Sequence, residues 1–128
     1  MLTKLQNHLT SQFPFLKEKK LFVAVSGGID SIVLVDLLHK LDYEIAVLHC
    51  NFSLRAAESD GDEAFVKSFC KERNIEVLVQ KFDTKQFASD YKLSIQVAAR
   101  KLRYDWFYEQ LENRNFDYIL TAHHLNDS

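Results

Sequence analysis

Residues 21–38 have the sequence LFVAVSGGIDSIVLVDLL, and this stretch decides the fold. Its first five residues, 21–25, form an apolar run with the length and β-branched content of a buried strand. A serine and two glycines follow at 26–28, and the apolar run from Ile29 to Leu38 indicates a helix. Glycines at a strand-to-helix turn let a ligand approach the backbone, and the helix start offers unpaired N–H groups and a positive dipole end. The turn therefore suits phosphate.

The turn is not a Walker A loop, because that motif ends in Gly-Lys-Ser/Thr and no lysine lies between Lys20 and Lys40. Asp30 instead lies where the phosphates would bind, and a bare carboxylate would repel them. A divalent cation that bridges Asp30 to phosphate oxygens would remove that repulsion. An alternative stays open on the pattern alone, in which Ser26 and Asp30 only cap the helix and match its dipole.

Composition bounds the class of protein. The chain has 128 residues, of which 47% are hydrophobic and 27% charged, as in a single globular domain. A net charge of −2 gives no global basic field for nucleic acid, although a local basic patch stays open. Cys50 and Cys70 lack CxxC spacing, so they offer no zinc or iron–sulfur ligand set. Two isolated cysteines are typical of a protein in a reducing, cytoplasmic compartment. No run has the length of a signal-peptide core or a membrane span, so we expect no membrane partner.

Strands that alternate with helices predict an α/β fold with a parallel sheet and right-handed crossovers. The expected strands are residues 20–25, 44–49, 75–81 and 117–122. The expected helices are an N-terminal helix that Pro14 ends, 29–41, 60–73 capped by Ser59 or Asp60, 84–90, and a long helix from Ser94 to about 113.

Two of these helices have a predicted inner face. In the 60–73 helix the residues expected to face inward are Phe65, Val66, Phe69 and Cys70. In the long helix they are Ile95, Ala98, Ala99, Leu102 and Trp106, with a flanking stripe of Gln96, Arg100, Arg103 and Phe107.

Polar clusters follow the first, second and fourth strands, at 26–31, 49–55 and 123–127. The carboxyl ends of parallel strands meet at one edge of a sheet, where such folds bind ligands. This convergence predicts an active site. His123 and Asp127 would share a helix face and could contact phosphate and a cation, and a plain polar loop or cap is the alternative.

Arginines and one phenylalanine add candidates for substrate contact. Arg100 and Arg103 could extend guanidinium groups to phosphate or to an RNA backbone, and a solvated helix flank is the alternative. Arg55 has the same two interpretations. Phe52 could stack on a base or plug the end of the sheet, and we favour the plug.

The stretch SGGIDS resembles the pyrophosphatase loop of the N-type ATP pyrophosphatase, or PP-loop, superfamily. Three further stretches, HCNFSLRAAESDGDEAFVKSFC, AARKLRYDWF and LTAHHLNDS, narrow the resemblance to the tRNA(Ile)-lysidine synthetase family, from about Lys20 to Ser128. The resemblance implies a three-layer Rossmann-like fold, of the adenine nucleotide alpha hydrolase-like kind, with strand order 3-2-1-4. The chain departs from the family at Phe52-Ser53, where His-Gly is frequent, and at Ser128, where Gln is usual.

By this resemblance the enzyme uses ATP and Mg²⁺ to adenylate the wobble cytidine of tRNA(Ile) and then joins free L-lysine to it. The resemblance implies metal binding by Asp30 and Asp127, with catalytic roles for both and for Arg100. It implies tRNA or substrate contact by Arg55 and Arg103. The implied ATP-binding residues are Ser26, Gly27, Gly28, Ile29, Asp30, Ser31, His49 and His123.

Two alternatives remain: another PP-loop ATP pyrophosphatase that thiolates or amidates tRNA, and a nucleotide-binding module without catalysis. We expect residues 1–128 to be the N-terminal part of the PP-loop domain, truncated before strand 5 and without the tRNA-recognition domains. On its own this part is expected to bind ATP weakly. A homo-oligomer through the uncovered edge of the fourth strand stays open.

Overall fold

The fold is built on a four-stranded parallel sheet. The structure is a computed structural model, which describes residues 11, 14–26 and 29–121. The strand order is β3-β2-β1-β4, as predicted. Central β1 pairs with β2 in the register Val23↔Val47 and with β4 in the register Val23↔Leu120. The strands are β1 (Lys20–Ala24), β2 (Glu44–Asn51), β3 (Glu76–Lys81) and β4 (Tyr118–Leu120).

Helices connect the strands and agree closely with the predicted pattern. In the described ranges they are α1 (Ile29–Lys40), α2 (Ala57–Glu72), α3 (Thr84–Asp90) and α4 (Ile95–Arg114), with a 3₁₀ turn at Pro14–Glu18. Ser94 is the N-cap of α4, and its side chain accepts a hydrogen bond from the backbone N–H of Val97. The predicted N-terminal helix lies, apart from Ser11, outside the described residues. No described helix has both the length and the apolar character needed to cross a bilayer.

The start of α2 differs from the prediction, because the helix begins at Ala57 and not near residue 60. Ser59 and Asp60 therefore lie inside the helix and do not cap it. Their oxygens bond the preceding chain: Ser59 Oγ accepts from the backbone N–H of Arg55, and Asp60 Oδ1 accepts from the side chain of Asn51. The expected capping oxygens thus stabilise the entry to the helix from within its first turns.

Two apolar cores lie on opposite faces of the sheet, which gives three layers. One core joins Val23 and Val47 to residues of α1 and α2, among them Leu38 and Val66. The other joins residues of β1 and β2 to α4, and its buried members are Phe22, Ala46, Leu48, Trp106 and Phe107. The site described below lies where this sheet ends.

The observed burial of residues on α2 and α4 shows that part of their predicted inner faces was wrong. Phe107, expected in the flanking stripe of α4, is only 4% exposed, whereas Ile95, expected in the core, is 38% exposed. On α2, Val66 and Cys70 are buried as expected, but Phe65 is 50% exposed. Helix α4 packs against both α3 and the sheet, so its buried residues do not follow one straight row.

Phe22 supplies a test of the core assignment. Its ring is fully buried and stacks on Phe116, with 3.9 Å between ring centroids. We expect Phe22→Ala to lower the free energy of unfolding by about 3–5 kcal/mol, because a large cavity replaces the ring. Urea denaturation followed by circular dichroism measures this loss. The control Phe65→Ala removes a half-exposed ring and should cost no more than about 1 kcal/mol. If Phe22→Ala lowered the free energy of unfolding by no more than about 1 kcal/mol, as expected for the control, Phe22 would not be a core residue.

Candidate functional site

The carboxyl ends of β1 and β2 lie side by side and form the floor of a cleft of about 260 Å³. The first two predicted polar clusters, 26–31 and 49–55, therefore meet at one edge of the sheet. The third cluster, 123–127, lies outside the described residues. The residues that line the cleft are Ser26, His49, Cys50, Asn51, Phe52, Leu54, Arg55, Ser59 and Asp62.

The two ends of the phosphate-type turn are joined by a hydrogen bond. The backbone N–H of Ser26 donates to the hydroxyl oxygen of Ser31 at 3.4 Å, and Ser31 is buried. Asp30 is exposed in the first turn of α1. Gly27 and Gly28 lie outside the described residues, as does the side chain of Ile29. The predicted residues Ser26, Asp30 and Ser31 thus lie together where β1 ends.

His49 lies beneath the start of this turn. Its ring is 2% exposed, and Nδ1 is 2.7 Å from the carbonyl oxygen of Val25. A carbonyl oxygen only accepts, so Nδ1 carries the proton and donates, which makes Nε2 an acceptor in the neutral ring. Within the described part of the chain, no group lies within hydrogen-bonding distance of Nε2. The described contact of His49 therefore fixes the backbone just before Ser26.

Asn51 lies within the predicted polar cluster 49–55, but the sequence pattern indicated no role for it. It is 2% exposed at the end of β2, and its Nδ2 donates to Asp60 Oδ1 at 3.0 Å and to Glu63 Oε1 at 3.1 Å. Its Oδ1 accepts from the backbone N–H of Ser53 at 3.0 Å. The available signal was an asparagine at the last position of a largely buried strand, because strands are depleted in this residue type.

The hydrogen bonds that Asn51 donates also lower the pKa values of Asp60 and Glu63. The bond from Asn51 is the main cause that lowers the pKa of Asp60, with Lys81 adding to it. The pKa of Glu63 is lowered first by a hydrogen bond from Lys67 and then by that from Asn51. Carboxyls with depressed pKa values stabilise the fold while ionised, above their unfolded pKa, and this contribution is lost as the pH falls through the folded pKa.

Two arginines predicted to contact substrate have different surroundings. Arg55 lies at the cleft, where its exposed guanidinium forms an ion pair with Glu58 at 3.1 Å. Arg100 is exposed on α4, with its guanidinium 5.0 Å from the ring centroid of Tyr104. Arg55 therefore borders the cleft, whereas the described contact of Arg100 is with its own helix.

Phe52 links the cleft to α4. Its ring is half-buried and stacks on Phe82, with 5.7 Å between centroids, as expected for a plug at the end of the sheet. The guanidinium of Arg103 lies 5.3 Å from the centroid of the same ring. Arg103 therefore lies near the cleft, next to one of its lining residues.

The predicted magnesium pair is described only in part. Over residues 11, 14–26 and 29–121, no three His, Cys, Asp or Glu side chains lie close enough together to hold a metal ion. Asp127 and His123 lie outside these ranges. Asp30 fits Mg²⁺, because this ion is usually bound by one or two carboxylates together with substrate phosphates and water. An exposed carboxylate beside a phosphate-type turn would suit one such ligand position.

Comparison with known proteins matches this chain to one protein family and to curated proteins that share one name. The PP-loop domain family matches residues 1–128. The tRNA(Ile)-lysidine synthase of Bacteroides thetaiotaomicron is 41% identical over 121 residues, which is 94% of this chain and 28% of that protein. The protein of the same name from Chlorobaculum tepidum is 43% identical over 83% of this chain and 33% of its own length. The chain thus spans about a third or less of these two curated relatives.

Two solved structures share the fold. The NH3-dependent NAD synthetase from Campylobacter jejuni superposes with a TM-score of 0.66 at 18% identity, over 91% of this chain and 53% of that one. NMN synthetase from Francisella tularensis superposes with a TM-score of 0.68 at 20% identity, over 91% of this chain and 51% of that one. At these identities the likeness concerns the fold alone.

The cysteines give a test of the chemistry available in the cleft. Burial raises the pKa of the Cys50 thiol to about 12 and that of Cys70 to about 11. Both thiols should stay protonated at neutral pH and react slowly with a disulfide reagent in the folded protein, but completely in urea. The variants Cys50→Ser and Cys70→Ser assign each reaction to its thiol. Rapid modification of Cys50 in the native protein would contradict this burial and favour a thiolating enzyme.

Proposed function

Because this chain belongs to the PP-loop domain family, we propose that it supplies the ATP-binding part of a tRNA(Ile)-lysidine synthase. The observation that carries the proposal is the cleft at the carboxyl edge, where the phosphate-type turn after β1 meets the loop after β2. The sequence similarity to proteins of that name supports it. The protein that carries this chain would act in the cytoplasm, where its tRNA substrate is found.

The proposed reaction has two steps and uses the atoms of its substrates as nucleophiles. The C2 oxygen of the wobble cytidine of tRNA(Ile) attacks the α-phosphorus of ATP, and pyrophosphate leaves. An amine of free L-lysine then attacks C2, and AMP leaves with the oxygen, so that a carbon–nitrogen bond forms. No protein nucleophile is needed, which agrees with the raised pKa of the Cys50 thiol in the cleft.

The turn after β1 would hold the phosphates of ATP. Backbone N–H groups of this turn, together with the N-terminus of α1, would form an anion site of the kind that stabilises a leaving pyrophosphate. The hydroxyl of Ser31 bonds the N–H of Ser26, and His49 bonds the carbonyl oxygen of Val25. These two contacts would fix the turn before ATP arrives, so that little reorganisation is needed.

Asp30 and Asp127 would hold Mg²⁺, which when bound supplies positive charge that neutralises the phosphate oxygens. The exposed carboxylate of Asp30 is accessible at the start of α1. Strand β4 pairs in parallel with β1, so the chain leaves β4 at the same edge. This direction supports the proposal that His123 and Asp127 reach the phosphates from the other side of the turn.

The arginines would neutralise charge on the nucleic-acid side of the cleft. Arg55 borders the cleft, and Arg103 lies against its lining residue Phe52, so both could contact the tRNA backbone. For Arg100 we propose the neutralisation of charge on the adenylate or the tRNA. Its present contact with Tyr104 would then be exchanged for one with substrate.

One assay tests the function as a whole. The complete protein is incubated with ATP, Mg²⁺, tRNA(Ile) and L-lysine, and pyrophosphate, AMP and the mass of the tRNA are measured. The proposal expects lysine to become attached to the tRNA only when all four reagents are present. Pyrophosphate release without lysine attachment would indicate a thiolating or amidating PP-loop enzyme. The absence of pyrophosphate release would indicate a nucleotide-binding module without catalysis.

Substitution of Asp30 is the most direct test of its proposed role in metal binding. We expect Asp30→Ala to lower the rate of pyrophosphate release at least about 100-fold, as when one group that stabilises transition-state charge is lost. The thermal midpoint should change little, because an exposed dipole-matching carboxylate contributes only about 0.3–1 kcal/mol. The control Asp105→Ala removes an exposed carboxylate of α4 that pairs with Lys101 and should keep full activity. Near-normal release by Asp30→Ala would show that Asp30 only caps the helix.

A further inference from the structure

The loop between β2 and α2, residues 52–56, has an unusual backbone. Ser53 has φ 57° and Ala56 has φ 44°, a region that residues with a Cβ rarely adopt. Such conformations persist only where surrounding contacts fix them. The loop also contributes Phe52, Leu54 and Arg55 to the lining of the cleft. Whatever fixes the loop therefore also fixes part of the candidate site.

Asn51 fixes the beginning of this loop and ties it to α2. Its Oδ1 accepts from the N–H of Ser53, while its two amide hydrogens are donated to Asp60 and Glu63. Ionised carboxylates only accept and a backbone N–H only donates, so a single orientation of the amide satisfies all three partners. Asn51 is 2% exposed, so these bonds face little competition from water.

The far end of the loop is held by α2 itself. The backbone N–H of Arg55 donates to Ser59 Oγ at 3.1 Å, and its carbonyl oxygen accepts from the N–H of Glu58 at 3.0 Å. Arg55 is thus placed relative to α2, and Asn51 places α2 relative to β2. A change at Asn51 should reach Arg55 through these contacts.

The charges around Asn51 explain why an amide suits this position. Asp60 and Glu63 direct two carboxylates at the same side chain, and lysines pair with them from outside, Lys81 at 3.3 Å and Lys67 at 3.0 Å. A neutral group with two donors joins the carboxylates without adding charge. An aspartate in its place would bring a third carboxylate against the other two, and the repulsion would move its side chain away from the contact with the Ser53 N–H.

We propose that Asn51 is a positioning residue, which holds the 52–56 loop so that Arg55 meets the phosphate backbone of the RNA substrate. This inference rests on the proposed function and deepens it, because it assigns the loop to the nucleic-acid side of the cleft. Phosphate contacts position a nucleic acid on a protein, so the loss of this loop conformation should weaken tRNA binding more than it slows the chemical step.

The test compares Asn51→Asp with the control Asn113→Asp, which makes the same chemical change at an exposed position of α4. In Asn51→Asp, hydrogen exchange at the amides of Ser53 and Arg55 should quicken at least about 10-fold, with exchange in β1 unchanged. The KM for tRNA(Ile) should rise about 10-fold, and kcat should stay within about twofold of the unsubstituted protein. The control should change none of these quantities.

A second substitution, at Glu63, distinguishes the loss of the Asn51 hydrogen bonds from a general loss of structure. Glu63→Gln alone should be nearly silent, because the new amide still offers an oxygen to Asn51. In N51D/E63Q that amide can instead donate to the new carboxylate, so the Ser53 exchange rate and the KM should move back towards those of the unsubstituted protein. Asn51→Ser, which replaces the two amide donors with one shorter hydroxyl donor and adds no charge, takes the place of Asn51→Asp if the latter fails to fold.

A third comparison asks whether Asn51 acts through Arg55. Arg55→Ala should raise the KM for tRNA(Ile), and adding Asn51→Asp to it should raise the KM no further. Unchanged Ser53 exchange in Asn51→Asp, or a KM that rises equally in the Arg55→Ala background, would overturn the proposal. A lack of tRNA-dependent turnover in the unsubstituted protein would instead overturn the proposed function and the RNA role with it. Ser53 exchange would still decide whether Asn51 holds the loop.

Discussion

The central position of β1 is the constraint on which the rest of the structure depends. This strand pairs with β2 on one side and β4 on the other, and its residues 21–23 are fully buried between two layers of helices. A strand buried on both faces can present polar groups only where it ends. The turn at Ser26 and the first turn of α1 are therefore the places where this strand can offer hydrogen-bonding groups and charge to a ligand.

The end of β2 shows how the sheet changes from core to site within a few residues. Alternation along the strand places Val47, His49 and Asn51 on the face that packs against α2. Val47 belongs to the apolar core, His49 bonds the backbone before the turn, and Asn51 bonds two carboxylates and the next loop. His49 Nδ1 and the side-chain amide of Asn51 each bond a neighbouring segment, which offsets part of the cost of removing these groups from water.

The proposed division of labour follows from this arrangement. On the β1 side Ser26 lines the cleft and Asp30 lies at the start of α1, whereas the β2 side carries Phe52 and Arg55 and lies near Arg103. ATP and a nucleic acid could thus approach from adjacent sides of one cleft. Cys50 also lines the cleft, and burial raises the pKa of its thiol, so in the proposed reaction the substrates supply the reacting atoms and the protein positions them.

The sequence by itself determined which segments form strands and helices, because hydrophobic period and capping are local properties. The run 21–38, the cap at Ser94 and the short helix at Thr84–Asp90 were all predicted from neighbouring residues. The parallel order 3-2-1-4 followed from this alternation together with the family resemblance. The meeting of the clusters at 26–31 and 49–55 then followed from the parallel strands.

Only the tertiary structure decided the contacts that cross between elements. The burial of Phe107 and the exposure of Ile95 depend on how α4 packs against the sheet and α3, which the period of one helix does not specify. The two carboxylate partners of Asn51 lie 9 and 12 residues away on a different element. They meet because β2 and α2 pack together, and that packing, not the local sequence, set both the start of α2 and the shape of the loop beside the cleft.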